Sequence, residues 1–308
     1  MPDGKTKADE VPDPARAAFE LSGRLVLTGQ YEEALTATDE AARLYRERIA
    51  ARPGRLEALG SAAPLAYVMV LRCEALSKLG RWEECLRTAS EAVALSRSQQ
   101  ADAPFAAPLG ATLMGLATAL WGLGRPQEAL AMARESVALY RRLARRDAAH
   151  RPQLANALSL LGVVLSRLGL HAEALKVTKE CVALYRRLIS ADPAAHALGL
   201  AQAVNNLARR RSVLNQGRRA LRSAQEAVTL YRQLALANPA VHRRDVAMAL
   251  GNLARMHFSR EASLAAAQES VAILRELAAE VPQTYASSLA EVRALEDRLR
   301  ALAPPPGA

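Results

Sequence analysis

Apolar positions recur along this chain at helical rather than strand spacing. Leu21, Leu116, Leu161 and Leu207, with Leu76, Leu120 and Leu165, fall on a stripe that returns about every 3.6 residues. Runs of β-branched residues alternating with polar ones, the mark of a half-buried strand, are missing. The apolar stripes are interrupted at regular intervals by short turn signals. These are Gly29-Gln-Tyr-Glu-Glu-Ala-Leu35, Gly80-Arg-Trp-Glu-Glu-Cys-Leu86, Gly124-Arg-Pro-Gln-Glu-Ala-Leu130, Gly169-Leu-His-Ala-Glu-Ala-Leu175 and Asn215-Gln-Gly-Arg-Arg-Ala-Leu221. Glycine and asparagine are the residues that tolerate the left-handed conformation at a helix end. The pattern predicts an all-α chain of helix-turn-helix units.

The turns follow one another at intervals of 51, 44, 45 and 46 residues. A fixed period in this range means stacked supersecondary units. Seven residues before each turn sits a small residue: Ser22, Cys73, Ala117, Gly162, Ala208. Five after it comes another: Ala34, Cys85, Ala129, Ala174, Ala220. Seven further on comes a third: Ala41, Ala92, Ser136, Cys181, Ala227. Two helices cross closely only where side chains are small, so these positions mark the contact line of each hairpin. The second helices share a further signature, Glu-small-aliphatic-x-aliphatic-x-Arg, running from Glu40 to Arg46, Glu91 to Arg97, Glu135 to Arg141, Glu180 to Arg186, Glu226 to Arg232 and Glu269 to Arg275. Six residues is about 240° of helical rotation, so this Glu and Arg cannot pair within their own helix. Each is either solvated or bonded to a neighbouring helix.

The turn, the small residues and the first-helix leucines resemble the tetratricopeptide repeat (TPR) family across about residues 12–283. The period exceeds the 34 residues usual in that family. The extra length follows the second-helix signature, as in the longer repeats of kinesin light chains and many actinobacterial TPR proteins. The resemblance implies a right-handed α-solenoid of six repeats (12–53, 54–104, 105–151, 152–193, 194–239 and 240–283), about thirteen antiparallel helices in all. Pro53, Pro193, Pro239 and Pro282 are expected to terminate second helices. The sixth unit lacks a turn glycine and is three residues short near Phe258–Glu261. Residues 286–302 read as a final charged helix, and 284–303 as the polar cap that a repeat array needs at its end. Residues 1–11 are expected to be a disordered tail and 304–308 a second tail.

Composition adds limits. No stretch of eighteen apolar residues is present, so no helix is expected to span a membrane. The polar start has no apolar core of a signal peptide, and three cysteines without paired spacing argue against a disulfide framework. Both point to a reducing cytoplasm, and the likeness to actinobacterial TPR proteins implies a bacterial one. The formal net charge is +10, carried almost wholly by arginine. That balance fits either a nucleic acid or acidic partner, or a high-GC genome that writes arginine on solvated helix faces. The charges are dispersed and form no basic block.

Candidate chemistry is sparse. No phosphate loop, nucleophile elbow or dinucleotide fingerprint appears, so the chain reads as non-catalytic and cofactor-free. His150, His171, His196, His242 and His257 lie at no zinc spacing, so no metal site is expected. Cys73, Cys85 and Cys181 occupy small consensus positions. Cys73 and Cys85 should face each other within one hairpin, as free thiols or as a redox pair.

Family resemblance implies that first helices line the concave surface. In peptide-binding members, the position two residues before the first small residue often holds an asparagine, whose amide bonds both the donor and the acceptor of a peptide backbone. Asn206 and Asn252 match it. Asn156, Gln202, Asn205, Arg209 and Arg255 lie nearby on the same face, whereas earlier units place Phe19, Tyr67, Val70, Met114, Trp121 and Val163 there. The lysine–asparagine–arginine clamp of chaperone-binding members is not reproduced. The expected function is a protein–protein interaction scaffold holding an acidic peptide segment in its groove. The alternative is a nucleic-acid-associated or transcription-regulatory protein using its basic surface, although no helix-turn-helix reader or stacking platform is present.

Overall fold

The structure, a computed structural model, describes residues 13–51, 55–98, 106–256 and 259–302. The expected tails, Pro53, His257 and Phe258 lie outside the described residues. Thirteen α-helices and one 3-10 turn make up the described chain, with no strand among them. They are α1 (Pro14–Leu27), α2 (Tyr31–Ala51), α3 (Arg55–Lys78), α4 (Trp82–Ser98), α5 (Ala106–Gly122), α6 (Pro126–Arg146), α7 (Arg151–Arg167), α8 (His171–Ile189), α9 (Pro193–Val213), α10 (Gly217–Ala237), α11 (Pro239–Ala254), α12 (Arg260–Glu280) and α13 (Pro282–Ala301). The 3-10 turn, Ala148–His150, leads into α7. The fold is an α-solenoid. It divides into two compact units, one up to Val164 and one from Leu165 onward. Among the described residues no helix is long and apolar enough to cross a membrane.

Each turn signal forms the same backbone device. Gly29, Gly80, Gly124 and Gly169 adopt φ of 70–80°, and Asn215 adopts 54°. The amide after each reaches back five residues, from Gln30 to Leu25, Arg81 to Leu76, Arg125 to Leu120, Leu170 to Leu165 and Gln216 to Arg211, at 2.9–3.0 Å. This closure satisfies carbonyls that the helix end would otherwise leave open. The turn between α11 and α12 works differently, with Ser259 Oγ accepting from the amide of Ala262 at 3.1 Å.

In each unit, successive helices pack on one another, and the small positions carry the contact line. Every one of the fifteen predicted small residues is buried. Where the third is serine, its hydroxyl also reaches across the hairpin. Ser136 donates to the Gly110 carbonyl at 2.9 Å, and Ser270, at the equivalent position, donates to Ala247 at 2.7 Å. Cys73 and Cys85 face each other, each Sγ lying 3.4–3.6 Å from the other's carbonyl oxygen. Leucine anchors such as Leu76, Leu165 and Leu250 fill the space beside them, each burial being worth about 1.5–3 kcal/mol.

Four expectations are refined. Leu21 is 42% exposed, because the described neighbours of α1, helices α2 and α3, cover only one side of it. Pro193, Pro239 and Pro282 open the following helix rather than merely closing the preceding one. Their fixed φ suits the first helical position, where the missing N–H is not needed. For the same reason the last helix begins at Pro282 rather than near residue 286. The paired Glu and Arg of the second-helix signature bond from one second helix to the next. Arg46 pairs with Glu91, Arg97 with Glu135, Arg186 with Glu226 and Arg232 with Glu269, at 2.6–2.9 Å.

Candidate functional site

Helix α9 places Gln202, Asn205, Asn206 and Arg209 at i, i+3, i+4 and i+7, which puts them on one face. Ala201, Ala203, Val204, Leu207 and Ala208 between them are buried and pin the helix in place. Gln202 and Arg209 are exposed, and the two asparagines are half-buried. Helix α11 repeats the arrangement 46 residues on, with exposed Met248 at the Gln202 position, half-buried Asn252 at the Asn206 position and exposed Arg255 at the Arg209 position.

The two helices are joined at this face. Asn252 Nδ2 donates to Asn205 Oδ1 at 3.0 Å. Arg255 Nη1 donates weakly to Asn252 Oδ1 at 3.5 Å, and Arg255 Nη2 lies 3.6 Å from Glu291 Oε2 on α13. A polar chain thus runs from α9 through α11 to α13. The sequence register aligns Asn252 with Asn206; the structure instead bonds it to Asn205, one residue earlier. Helical side chains lean toward the N-terminus of their helix, so the neighbour met across an interface need not share the aligned position. Asn206 makes no side-chain hydrogen bond among the described residues, and it keeps both amide groups free.

Asn156 is exposed on α7, in the first unit. Phe19, Val70, Met114, Trp121 and Val163 are half-buried and Tyr67 is exposed, so that unit presents an apolar first-helix surface. Beside Arg255, a cavity of about 430 Å³ is bounded by Leu295, Arg298, Leu299 and Leu302. Burial, and then the charge of Arg209, push the Arg210 guanidinium down to about 10. Among the described residues, no three of His, Cys, Asp and Glu gather as metal ligands.

Arg210 and Arg211 of α9 lie outside the expected face, and both stand at inward positions. Aligned repeats single out Arg211, whereas Arg210 shares its position with the exposed Arg24 of the first hairpin. Arg210 occupies a position held by buried Ala75, Ala119 and Val164, and Arg211 one held by buried Leu76, Leu120 and Leu165.

Sequence models of the tetratricopeptide repeat match residues 64–142 and 154–195. No curated protein matches the chain. Several solved structures are similar. BtubC (BKLC) from P. vanneervenii shares 14% identity over 90% of this chain and 95% of that chain, with a TM-score of 0.59. Aspartyl phosphate phosphatase F from Bacillus subtilis shares 13% over 86% of this chain and 61% of its own, with a TM-score of 0.58. A Rap protein complexed with competence and sporulation factor shares 10% over 93% and 87%, with a TM-score of 0.53. At such identities the likeness is one of fold. Residues 64–142 and 154–195 are thus tetratricopeptide repeats by their sequence models, and the same left-handed turn and small-residue contact line recur in the hairpins on both sides of them.

Proposed function

We propose that the chain is a non-catalytic cytoplasmic scaffold whose first-helix face in the second unit holds an extended or helical segment of another polypeptide, acidic in character. The observation that carries this reading is the file of amide and guanidinium side chains on α9 and α11, drawn together by the Asn252–Asn205 hydrogen bond. Asn206, with both amide groups open, is suited to a peptide bond in either direction. Arg209 offers a planar fork to a carboxylate. Arg255 would exchange its long contact with the exposed Glu291 for one with the partner. Gln202 extends the same file. A Rap protein of similar fold is complexed with competence and sporulation factor, which is in keeping with a polypeptide-binding role. In this reading the six repeats span 12–283, and 284–303 serves as the cap.

The test begins with capture of partners from a native lysate on the full chain. Isothermal titration of the captured partner follows, on the parent and on an Asn206→Ala/Asn252→Ala variant. Alanine favours helix, so helicity should persist. Loss of bonded amides should weaken binding by about 1–3 kcal/mol. Unchanged affinity would place the binding surface elsewhere. Salt-sensitive retention on DNA with no protein captured would instead favour the nucleic-acid alternative.

A further inference from the structure

The fifth hairpin departs from the first four at positions that the repeat makes directly comparable. Four residues before the turn residue stand Leu25, Leu76, Leu120 and Leu165, and then Arg211. Four residues after it stand Glu33, Glu84, Glu128 and Glu173, and then Arg219. One change puts a cation at a core position. The other puts a cation in the first turn of α10, where the helix dipole is already positive and the earlier second helices carry acids. Neither change follows the pattern that the first four hairpins share.

The two arginines meet at one place. Arg211 is half-buried, and its Nη1 donates to Ser223 Oγ at 2.6 Å and to the Arg219 carbonyl at 3.3 Å. Its Nε is buried without a hydrogen-bond partner. Together with Arg222 and Glu226 these residues line a cavity of about 270 Å³. The carboxylate of Glu226 is already bonded to Arg186 Nη2, at 2.8 and 3.0 Å. Among the described residues, no carboxylate pairs with Arg211, Arg219 or Arg222. Burial, followed by the charges of Arg219, Arg186 and Arg222, pushes the Arg211 guanidinium below its ordinary pKa.

The first unit supplies an internal control. The equivalent cavity there, of about 360 Å³, gathers Asp39, Glu84 and Glu91 against Arg46, Arg72 and Arg87. Arg46 pairs with Glu91 and Arg72 with Asp39, so acids and bases balance three to three. In the second unit Arg186, Arg222 and Glu226 keep the places of Arg46, Arg87 and Glu91, while Arg219 replaces Glu84. One site in the repeat is therefore neutral in the first unit, and in the second is lined by three guanidiniums against one carboxylate that Arg186 already holds.

We propose that the cavity between α9 and α10 is an anion site that takes a phosphoryl group, carried by a phosphorylated residue of a partner chain or by free phosphate. Three guanidiniums without carboxylate partners suit a dianion with three acceptor oxygens better than a single carboxylate. Guanidinium forks match phosphate oxygens in pairs. The volume holds the phosphoryl group and the first atoms of whatever bears it. The inference is independent of the amide face on α9 and α11.

The test uses the full chain in a phosphate-free buffer at fixed ionic strength. It is titrated calorimetrically with inorganic phosphate, with a ten-residue phosphoserine peptide and with the same peptide unphosphorylated. Two variants restore what the other hairpins carry, Arg211→Leu and Arg219→Glu, and circular dichroism reports whether each remains folded. The parent should bind phosphate or the phosphopeptide saturably, and each folded variant should bind at least tenfold more weakly. Binding of phosphate alone assigns the free anion as ligand, and binding of the phosphopeptide alone assigns a partner chain. The proposal is overturned if the parent responds to neither beyond an equivalent of sodium chloride. It is equally overturned if either folded variant binds as tightly as the parent.

Discussion

Gly110 and Gly115 stand five residues apart on α5, and the same substitution should act on them with opposite sign. A Cβ at Gly110 would lie 2.7 Å from Cε2 and Cζ of Tyr140 and 3.2 Å from its Cδ2. The ring cannot swing away, because it is 1% exposed and its hydroxyl donates to the Ala107 carbonyl at 3.0 Å. The α5 backbone is also tied down there, since the Gly110 carbonyl accepts from Ser136. Overpacking of this kind costs about 1–3 kcal/mol. Against it stands the helix-propensity gain of about 1 kcal/mol for alanine over glycine. Gly110→Ala should therefore lower stability by about 1 kcal/mol. At Gly115 the added Cβ would meet Cys73 Cβ at 3.6 Å and Sγ at 3.8 Å, an ordinary contact. Gly115→Ala should keep the full propensity gain and raise stability by about 1 kcal/mol. Urea unfolding followed by helical circular dichroism measures the gap, about 2 kcal/mol between the variants. A third variant makes the cause explicit: in a Tyr140→Leu background the clash is gone and Gly110→Ala should turn stabilising. Equal gains from Gly110→Ala and Gly115→Ala in the parent chain would refute the wedged-ring account.

Asn215 holds φ of 54°, so Asn215→Gly should raise stability slightly while Asn215→Ala lowers it by about 1 kcal/mol, both measured by urea unfolding; equal urea midpoints would mean the turn is not strained there. Arg186→Ala should cost less than about 1 kcal/mol, since its pair with Glu226 is half-exposed, and the cost should fade in 1 M salt; a large, salt-insensitive loss would contradict this. Stability should decline on the alkaline side. Burial raises the Cys181 thiol to about 12, and it raises the phenols of Tyr140, Tyr185 and Tyr231 above their ordinary value. The folded chain holds these protons while the unfolded chain releases its thiols near pH 8.5 and its phenols near pH 10, so this stability is intact below about pH 8.5 and is lost as pH rises. Thermal midpoints from pH 7 to 11 check the sign, and a flat or rising profile would contradict it.

Much of the fold is written locally in the chain. A residue that accepts positive φ ends five of the six first helices, and Gly29, Gly80, Gly124, Gly169 and Asn215 are where those helices stop. A small residue permits a close crossing whatever surrounds it, so Ser22, Cys85 or Ala174 could be assigned to the contact line from spacing alone. These are properties of single residues and of helix geometry, and a period of 44 to 51 residues repeats them often enough to be unmistakable. On the candidate face, helical spacing alone groups Gln202, Asn205, Asn206 and Arg209.

Contacts between hairpins were decided only in three dimensions. The signature Glu and Arg were known not to pair within a helix, but the choice of Arg46 for Glu91 and Arg186 for Glu226 depends on how one second helix is rotated against the next. The same rotation, with the lean of helical side chains, gives Asn252 to Asn205 and leaves Asn206 open. The replacement of Leu by Arg211 and of Glu by Arg219 is visible in aligned repeats, yet the sequence does not say that both converge on one cavity already deprived of its carboxylate by Arg186. Local conformation is set by steric rules within a few residues, whereas charge balance at a point is a sum over helices far apart in sequence, and packing alone brings them together.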